Sequence, residues 1–153
     1  MAKLKNEDLV ELSRDKVAIS RRKLGGEAPI VVNEITDGCL YCGLFGTLDS
    51  ARIKSTMDLI LSVTSTTDNN YMIIDLSNVE LIDSAIASHL MRINKTLRMV
   101  GMNIIFCGIK PIVAQSMVSA GIDIESVEVY KNLKIALKRI YKIQGLALVK
   151  LKE

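Results

Sequence analysis

Tryptophan is absent and aromatic residues make up only 4% of the chain, with no run in which several alternate with lysines and arginines. A surface that stacks on single-stranded nucleic acid therefore has no support. No apolar run approaches the roughly 18 residues of a membrane-spanning helix, and no charged-apolar-small signal pattern opens the sequence, which reads as a soluble cytoplasmic protein. Cysteine is scarce and odd in number: Cys39, Cys42 and Cys107 all fall in strand-like apolar segments. A disulfide framework is not expected from such a set, and the thiols read as reduced and buried. Cys39-Leu40-Tyr41-Cys42 matches C-x-x-C, yet in a strand the period of two sends the two side chains to opposite faces. With no second pair and one histidine, His89, zinc and thiol redox chemistry lack ligands, and no metal or cofactor is expected. The phosphate loop G-x-x-x-x-G-K-[ST], the dinucleotide fingerprint G-x-G-x-x-G, the elbow G-x-S-x-G and the zinc motif H-E-x-x-H are all missing, which points away from an enzyme.

What remains is a chain sized for one core. Its 153 residues are 49% hydrophobic, and a globule of this length buries roughly two-thirds of its unfolded surface. The net charge is +3, with basic residues gathered at the two ends. Near the C-terminus Lys131, Lys134, Lys138, Arg139 and Lys142 sit opposite Leu133, Ala136, Leu137 and Ile140, the pattern of a helix with one solvated face.

Residues 1–27 read as a helical leader and linker: Asn6 caps a helix carrying Leu9, Leu12 and Val17, which ends at Gly25-Gly26. The domain is expected over 28–145. Ile30 to Ile35 and Leu40 to Phe45 are strand-like and joined across Asp37-Gly38 as a hairpin. A helix from Ser50 to about Thr64 leads through a polar loop to the buried strand around Met72-Ile73-Ile74. Ile86, Leu90, Ile93 and Leu97 then recur at helical spacing until Gly101. Asn103 to Cys107 is another strand, Pro111 opens a helix that Gly121 stops, and a strand over Val127 to Tyr130 precedes a helix capped by Asn132. Strands alternating with helices after an opening hairpin imply an α/β fold with a mixed, mostly parallel sheet and helices packed against it. The tail, 146–153, begins Leu146-Ala147-Leu148-Val149 and reads either as an added strand or as a partner-binding segment.

One dipeptide recurs. Asp83-Ser84 stands where strand period changes to helix period, and Asp49-Ser50 opens the earlier helix in the same way. Ser84 is read as the N-cap of its helix, with Asp83 sharing that role. Asp75, at the end of a buried strand, is expected to satisfy backbone donors of the following loop rather than to pair with Asp83 as a catalytic carboxylate. His89 lies about 140° round the helix from Ser84, a poor position for a general base.

The pattern Ile74-Asp75-Leu76-Ser77-x-Val79-x-x-Ile82-Asp83-Ser84, with Gly101-x-x-Ile104-x-x-x-Gly108-Ile109-x-Pro111-x-Val113-Ala114-Gln115 and Gly121-Ile122-Asp123, resembles STAS domains, the anti-sigma factor antagonists, and among them the stressosome proteins. The resemblance runs from about Ile30 to Ile140. It implies the STAS-type sheet and makes Ser84 the residue phosphorylated by a dedicated serine/threonine kinase of the switch type. Gly46-Thr47-Leu48-Asp49-Ser50 resembles the second phosphoacceptor motif of the RsbR-like co-antagonist branch more than the single-site RsbS-like antagonists, which implies Ser50 as a second site. Serine stands at both positions where co-antagonists typically carry threonine. The segment before Ile30 is shorter than the sensor domains many of them carry, so the chain reads as a minimal scaffold or as a subunit taking its signal from a neighbour. By the same resemblance Asp49, Asp83, Asp75 and Ser77 would face partners, namely the kinase and sister STAS proteins in a large homo- or hetero-oligomer. The other reading of a STAS domain is a regulatory subunit of a transporter or lipid-transport system.

Overall fold

The Asp37-Gly38 turn joins the first two strands, β1 (Ile30–Thr36) and β2 (Cys39–Thr47), as an antiparallel hairpin. Only Gly38 takes a left-handed φ, 71°. The turn is therefore not the type in which both central residues are left-handed, and the twist mismatch is absorbed by Ile35, an extra residue in β1 where the register shifts between Glu34 and Thr36. The chain continues through α1 (Ser50–Thr64), β3 (Tyr71–Leu81), α2 (Ser84–Met99), β4 (Asn103–Cys107), α3 (Pro111–Ser119), a single 3-10 turn (Ile124–Ser126), β5 (Glu128–Tyr130) and α4 (Leu133–Ile143). This is a computed structural model and it describes residues 30–152. The leader helix expected around Leu9 to Val17 lies outside the described residues.

The five strands lie in the order β1-β2-β3-β4-β5, with every pair after the hairpin parallel. Each crossover steps to the next strand in the same direction. Crossovers of one hand then deliver α1, α2 and α3 to one face of the sheet. Leu40, Cys42, Leu44, Met72, Ile74, Leu76 and Phe106 point to that face and meet Ile53 and Ile60 of α1, Ile86, Leu90, Ile93 and Leu97 of α2, and Val113 and Met117 of α3. The opposite face carries Cys39, Ile73, Ile105 and Cys107, covered by Ala136 and Ile140 of α4. Burial on both sides explains why β3 reads as an unbroken apolar run rather than as an alternation.

Cys39 and Cys42 fall in the two different cores, so the C-x-x-C pair faces opposite sides of the sheet as its strand period requires. All three thiols are free and buried. Burial pushes Cys39 up to about 11 and Cys42 and Cys107 up to about 12, with the Asp75 carboxylate adding to the last two. At pH 8 the folded protein is expected to resist alkylation by iodoacetamide at all three, and to label fully in denaturant, as intact mass will show. A raised thiol pKa favours the folded state below the ordinary value of 9.0. That stability is lost as pH rises from about 9 towards 12, because the unfolded thiols ionise first.

Candidate functional site

β2 and β3 end side by side, with Thr47 paired to Leu81. From that shared register each strand runs one buried residue further, Leu48 or Ile82, then an aspartate, then a serine that begins a helix. The equal offset sets Asp49-Ser50 and Asp83-Ser84 next to one another on the rim at the carboxyl ends of the parallel strands, where α/β sheets gather ligands.

Both aspartates hold extended backbone, with ψ of 168° at Asp49 and 177° at Asp83. The Oδ1 of Asp49 accepts the Arg52 N–H at 2.9 Å, and the Oδ1 of Asp83 accepts the Ile86 N–H at 2.8 Å. The first intrahelical bonds close on the same two residues, from Ile53 N–H to the Asp49 carbonyl and from Ala87 N–H to the Asp83 carbonyl. This corrects the expectation that Ser84 is the cap. Asp83 is the cap and Ser84 is the first helical residue. Serine and aspartate cap equally well as isolated types, but a carboxylate also gains from the positive end of the helix dipole. The outcome for function is direct: Ser50 and Ser84 are both exposed, and among the described residues neither hydroxyl is engaged in a hydrogen bond. Replacing Asp83 by alanine is expected to cost about 1 kcal/mol, and replacing Ser84 by alanine less than about 0.5 kcal/mol, in urea titrations followed by circular dichroism.

The two starts differ in charge. Arg52 Nε lies 3.4 Å from the Asp49 carboxylate, an exposed ion pair of little consequence for stability but one that leaves a guanidinium beside Ser50. Asp83 has no ion-pair partner among the described residues.

Asp75 lies apart from this rim, in the length of β3 that still pairs with β4, opposite Gly43 and Cys107. It is only 7% exposed. Its Oδ1 accepts the Ser77 N–H at 2.9 Å and the Ser77 hydroxyl at 2.6 Å, while its Oδ2 accepts the Tyr41 hydroxyl at 2.9 Å. The expected role, holding a backbone donor just downstream, is thus met by Ser77. Burial, followed by the neighbouring Asp75 carboxylate, pushes the Tyr41 phenol well above its ordinary value. The β2–β3 register jumps here, from Gly43–Asp75 to Phe45–Asn78, and β4 pairing stops at Cys107. Past this point, among the described residues, β3 pairs with β2 alone and carries the chain out to Leu81 and the rim. The cluster pins the place where β3 leaves the sheet's centre. Ser77 itself is exposed, so it is the member of the pair that a partner can touch.

Sequence reasoning misses two members of this cluster: Tyr41, and Gly108, where an added Cβ would stand 2.7 Å from Asp75 Oδ1. Tyr41 gives half of the signal: a part-buried tyrosine hydroxyl needs a partner, but only the strand register says which one.

The sequence profile described as "STAS domain" matches residues 31–136. The chain belongs to the STAS domain family. Among curated proteins this STAS chain is 28% identical over 129 residues to the RsbT co-antagonist protein RsbRD of Bacillus subtilis, covering 84% of the chain and 44% of that protein. It is also 28% identical over 110 residues to the RsbT co-antagonist protein RsbRA of the same organism, covering 72% of the chain and 40% of that protein. The chain therefore spans under half the length of these relatives. Among solved structures a variant of RsbS from Moorella thermoacetica superposes with a TM-score of 0.67 at 20% identity, over 76% of this chain and 98% of that one. The α/β architecture read from the sequence is the STAS fold. Among the described residues no helix is long and apolar enough to cross a membrane.

Proposed function

We propose that this STAS domain is a non-enzymatic, phosphorylatable binding module that holds a serine/threonine kinase of the switch type on its Asp-Ser rim and releases it when Ser84, and secondarily Ser50, are phosphorylated. The observation that carries the reading is the capping geometry. Each helix start is stabilised by an aspartate, which leaves the adjacent serine hydroxyl exposed and unengaged, so a phosphoryl group can come and go without unmaking a cap. Kinship with RsbT co-antagonists supports the same reading, and with it a place in a stressosome-like assembly of sister STAS proteins that regulates an anti-sigma/sigma factor pathway.

A phosphoserine at the first helical position brings a charge of about −1.5 to −2 to the positive end of the helix dipole, which is favourable by roughly 0.3 to 1 kcal/mol. At Ser50 the Arg52 guanidinium is at hand to pair with it. At Ser84 the only charged neighbour on its own helix start is the Asp83 carboxylate. The phosphate there is less well neutralised by its own domain and acts more strongly on whatever docks. Ser77, Asp49 and Asp83 supply polar contacts around the two hydroxyls, with Asp75 holding Ser77 in place.

Incubating the protein with its cognate kinase and mapping phosphates by mass spectrometry is expected to find them on Ser84 and Ser50. Modification confined to other residues would contradict the assignment.

A further inference from the structure

Helix α4 ends in a Schellman closure: Gly145, at φ 73°, donates to the Lys142 carbonyl and the Leu146 N–H donates to the Tyr141 carbonyl at 2.8 Å. Beyond it Leu146–Lys152 runs on with no helix or strand. Leu146, Leu148, Val149 and Leu151 are 57%, 71%, 76% and 88% exposed. Among the described residues no backbone hydrogen bond forms past the Leu146 N–H. Seven residues rich in leucine and valine, exposed and without strand partners among the described residues, have the composition of a strand.

Among the described residues the sheet has two outer edges, β1 and β5. β5 is 3 residues long and β1 is 7, so β1 is the edge that matches the length of the tail. Charge agrees. Residues 30–48 carry Glu34 and Asp37 and no lysine or arginine, whereas Leu146–Lys152 carries Lys150 and Lys152 and no acid.

Direction then decides which chain supplies the edge. The Gln144 side chain donates to the Asp37 carbonyl, so a tail leaving its own α4 starts at the Asp37 end of its own β1. From there it can run only antiparallel, which carries both lysines towards Ile30 and away from the acids. Running parallel from the Ile30 end sets Lys150 opposite Glu34 and brings Lys152 to Asp37. A chain cannot do this to itself.

We infer that Leu146–Lys152 adds as a parallel strand to the β1 edge of a second copy of this chain. Main-chain bonds would supply the affinity and the lysine-acid pairs the register. If the exchange closes on itself the product is a dimer, and if it does not, a chain of subunits.

Light scattering after size exclusion is expected to give a mass at least twice that of one chain for the whole protein, and the single-chain mass for a variant lacking Leu146–Glu153. That variant should still unfold cooperatively with a Tm independent of protein concentration, whereas the Tm of the whole protein should rise with concentration. Glu34→Lys and Lys150→Glu are each expected to weaken self-association about tenfold, and the double variant to restore it. Mixing Asn33→Cys protein with Val149→Cys protein should give a disulfide between chains, the three native thiols being buried. An unchanged mass after deletion, no rescue in the double variant, or a cross-link formed only within a single doubly substituted chain would each overturn the inference. None of these readouts depends on phosphorylation of the rim.

Discussion

Ser84→Asp is expected to bind the kinase proposed as its partner about a hundredfold more weakly than Ser84→Ala, with the two variants equal in stability to within about 0.5 kcal/mol. The asymmetry follows from where the side chain sits. As the first helical residue and exposed, position 84 contributes nothing to the core, and its aspartate adds a negative charge where the helix dipole tolerates one. Across an interface the sum is different. A unit charge about 6 Å from an acidic group, at an effective dielectric near 20, costs on the order of 3 kcal/mol, which is two decades in affinity. Titration of both variants with the kinase by calorimetry measures this, and equal affinities would remove Ser84 as the switch. The same pair of substitutions at Ser50 is expected to give a smaller difference, because Arg52 beside Asp49 takes up part of the added charge.

Gly108→Ala is expected to destabilise the fold by about 3 kcal/mol and to lower Tm by roughly 10 °C in a domain of this length. Two effects coincide there. Gly108 holds φ at 70°, a conformation that costs an L-residue about 1–2 kcal/mol. A Cβ on it would also stand 2.7 Å from Asp75 Oδ1, 2.8 Å from Ser77 Cβ and 2.9 Å from the Ser77 nitrogen. None of these can yield cheaply, since the Ser77 backbone and the Asp75 carboxylate are bound to each other. Gly121→Ala is the control: its φ is 72°, but a Cβ there meets nothing within 4 Å. It should lose only the conformational part, about 1 kcal/mol. Differential scanning calorimetry of the two variants separates crowding at the Asp75 cluster from backbone strain alone.

Local chemistry was readable from the residues and long-range pairing was not. The α2 stripe of Ile86, Leu90, Ile93 and Leu97 is buried as its spacing predicts, and α1 and α3 begin at the residues expected of them, Ser50 and Pro111. Cys39 and Cys42 separate to two faces because a strand alternates whatever its neighbours are. The cap at Asp83 was ambiguous because adjacent aspartate and serine have the same propensity, and only the backbone angle at position 83 decides between them. The contact between Tyr41 and Asp75 depends on the register of β2 against β3, which sets Tyr41 opposite Ile73 and Gly43 opposite Asp75, and no local pattern fixes that register. β3 was expected to end near Asp75, yet it continues to Leu81, because pairing with β2 outlasts pairing with β4.

The unidirectional strand order sorts the connecting loops by position. Segments that leave a parallel strand emerge at one pole, among them both Asp-Ser starts, whereas the returns at Ser65–Asn70, Val100–Met102 and Ala120–Asp123 come back at the other. A fluorophore or surface tether fixed at Asp68 or Gly121 would thus stand a full strand length from the hydroxyls. The molecule offers a handle that can be gripped while the end bearing Ser50 and Ser84 stays clear, which suits it to immobilised or single-molecule tests of whether phosphate there changes docking.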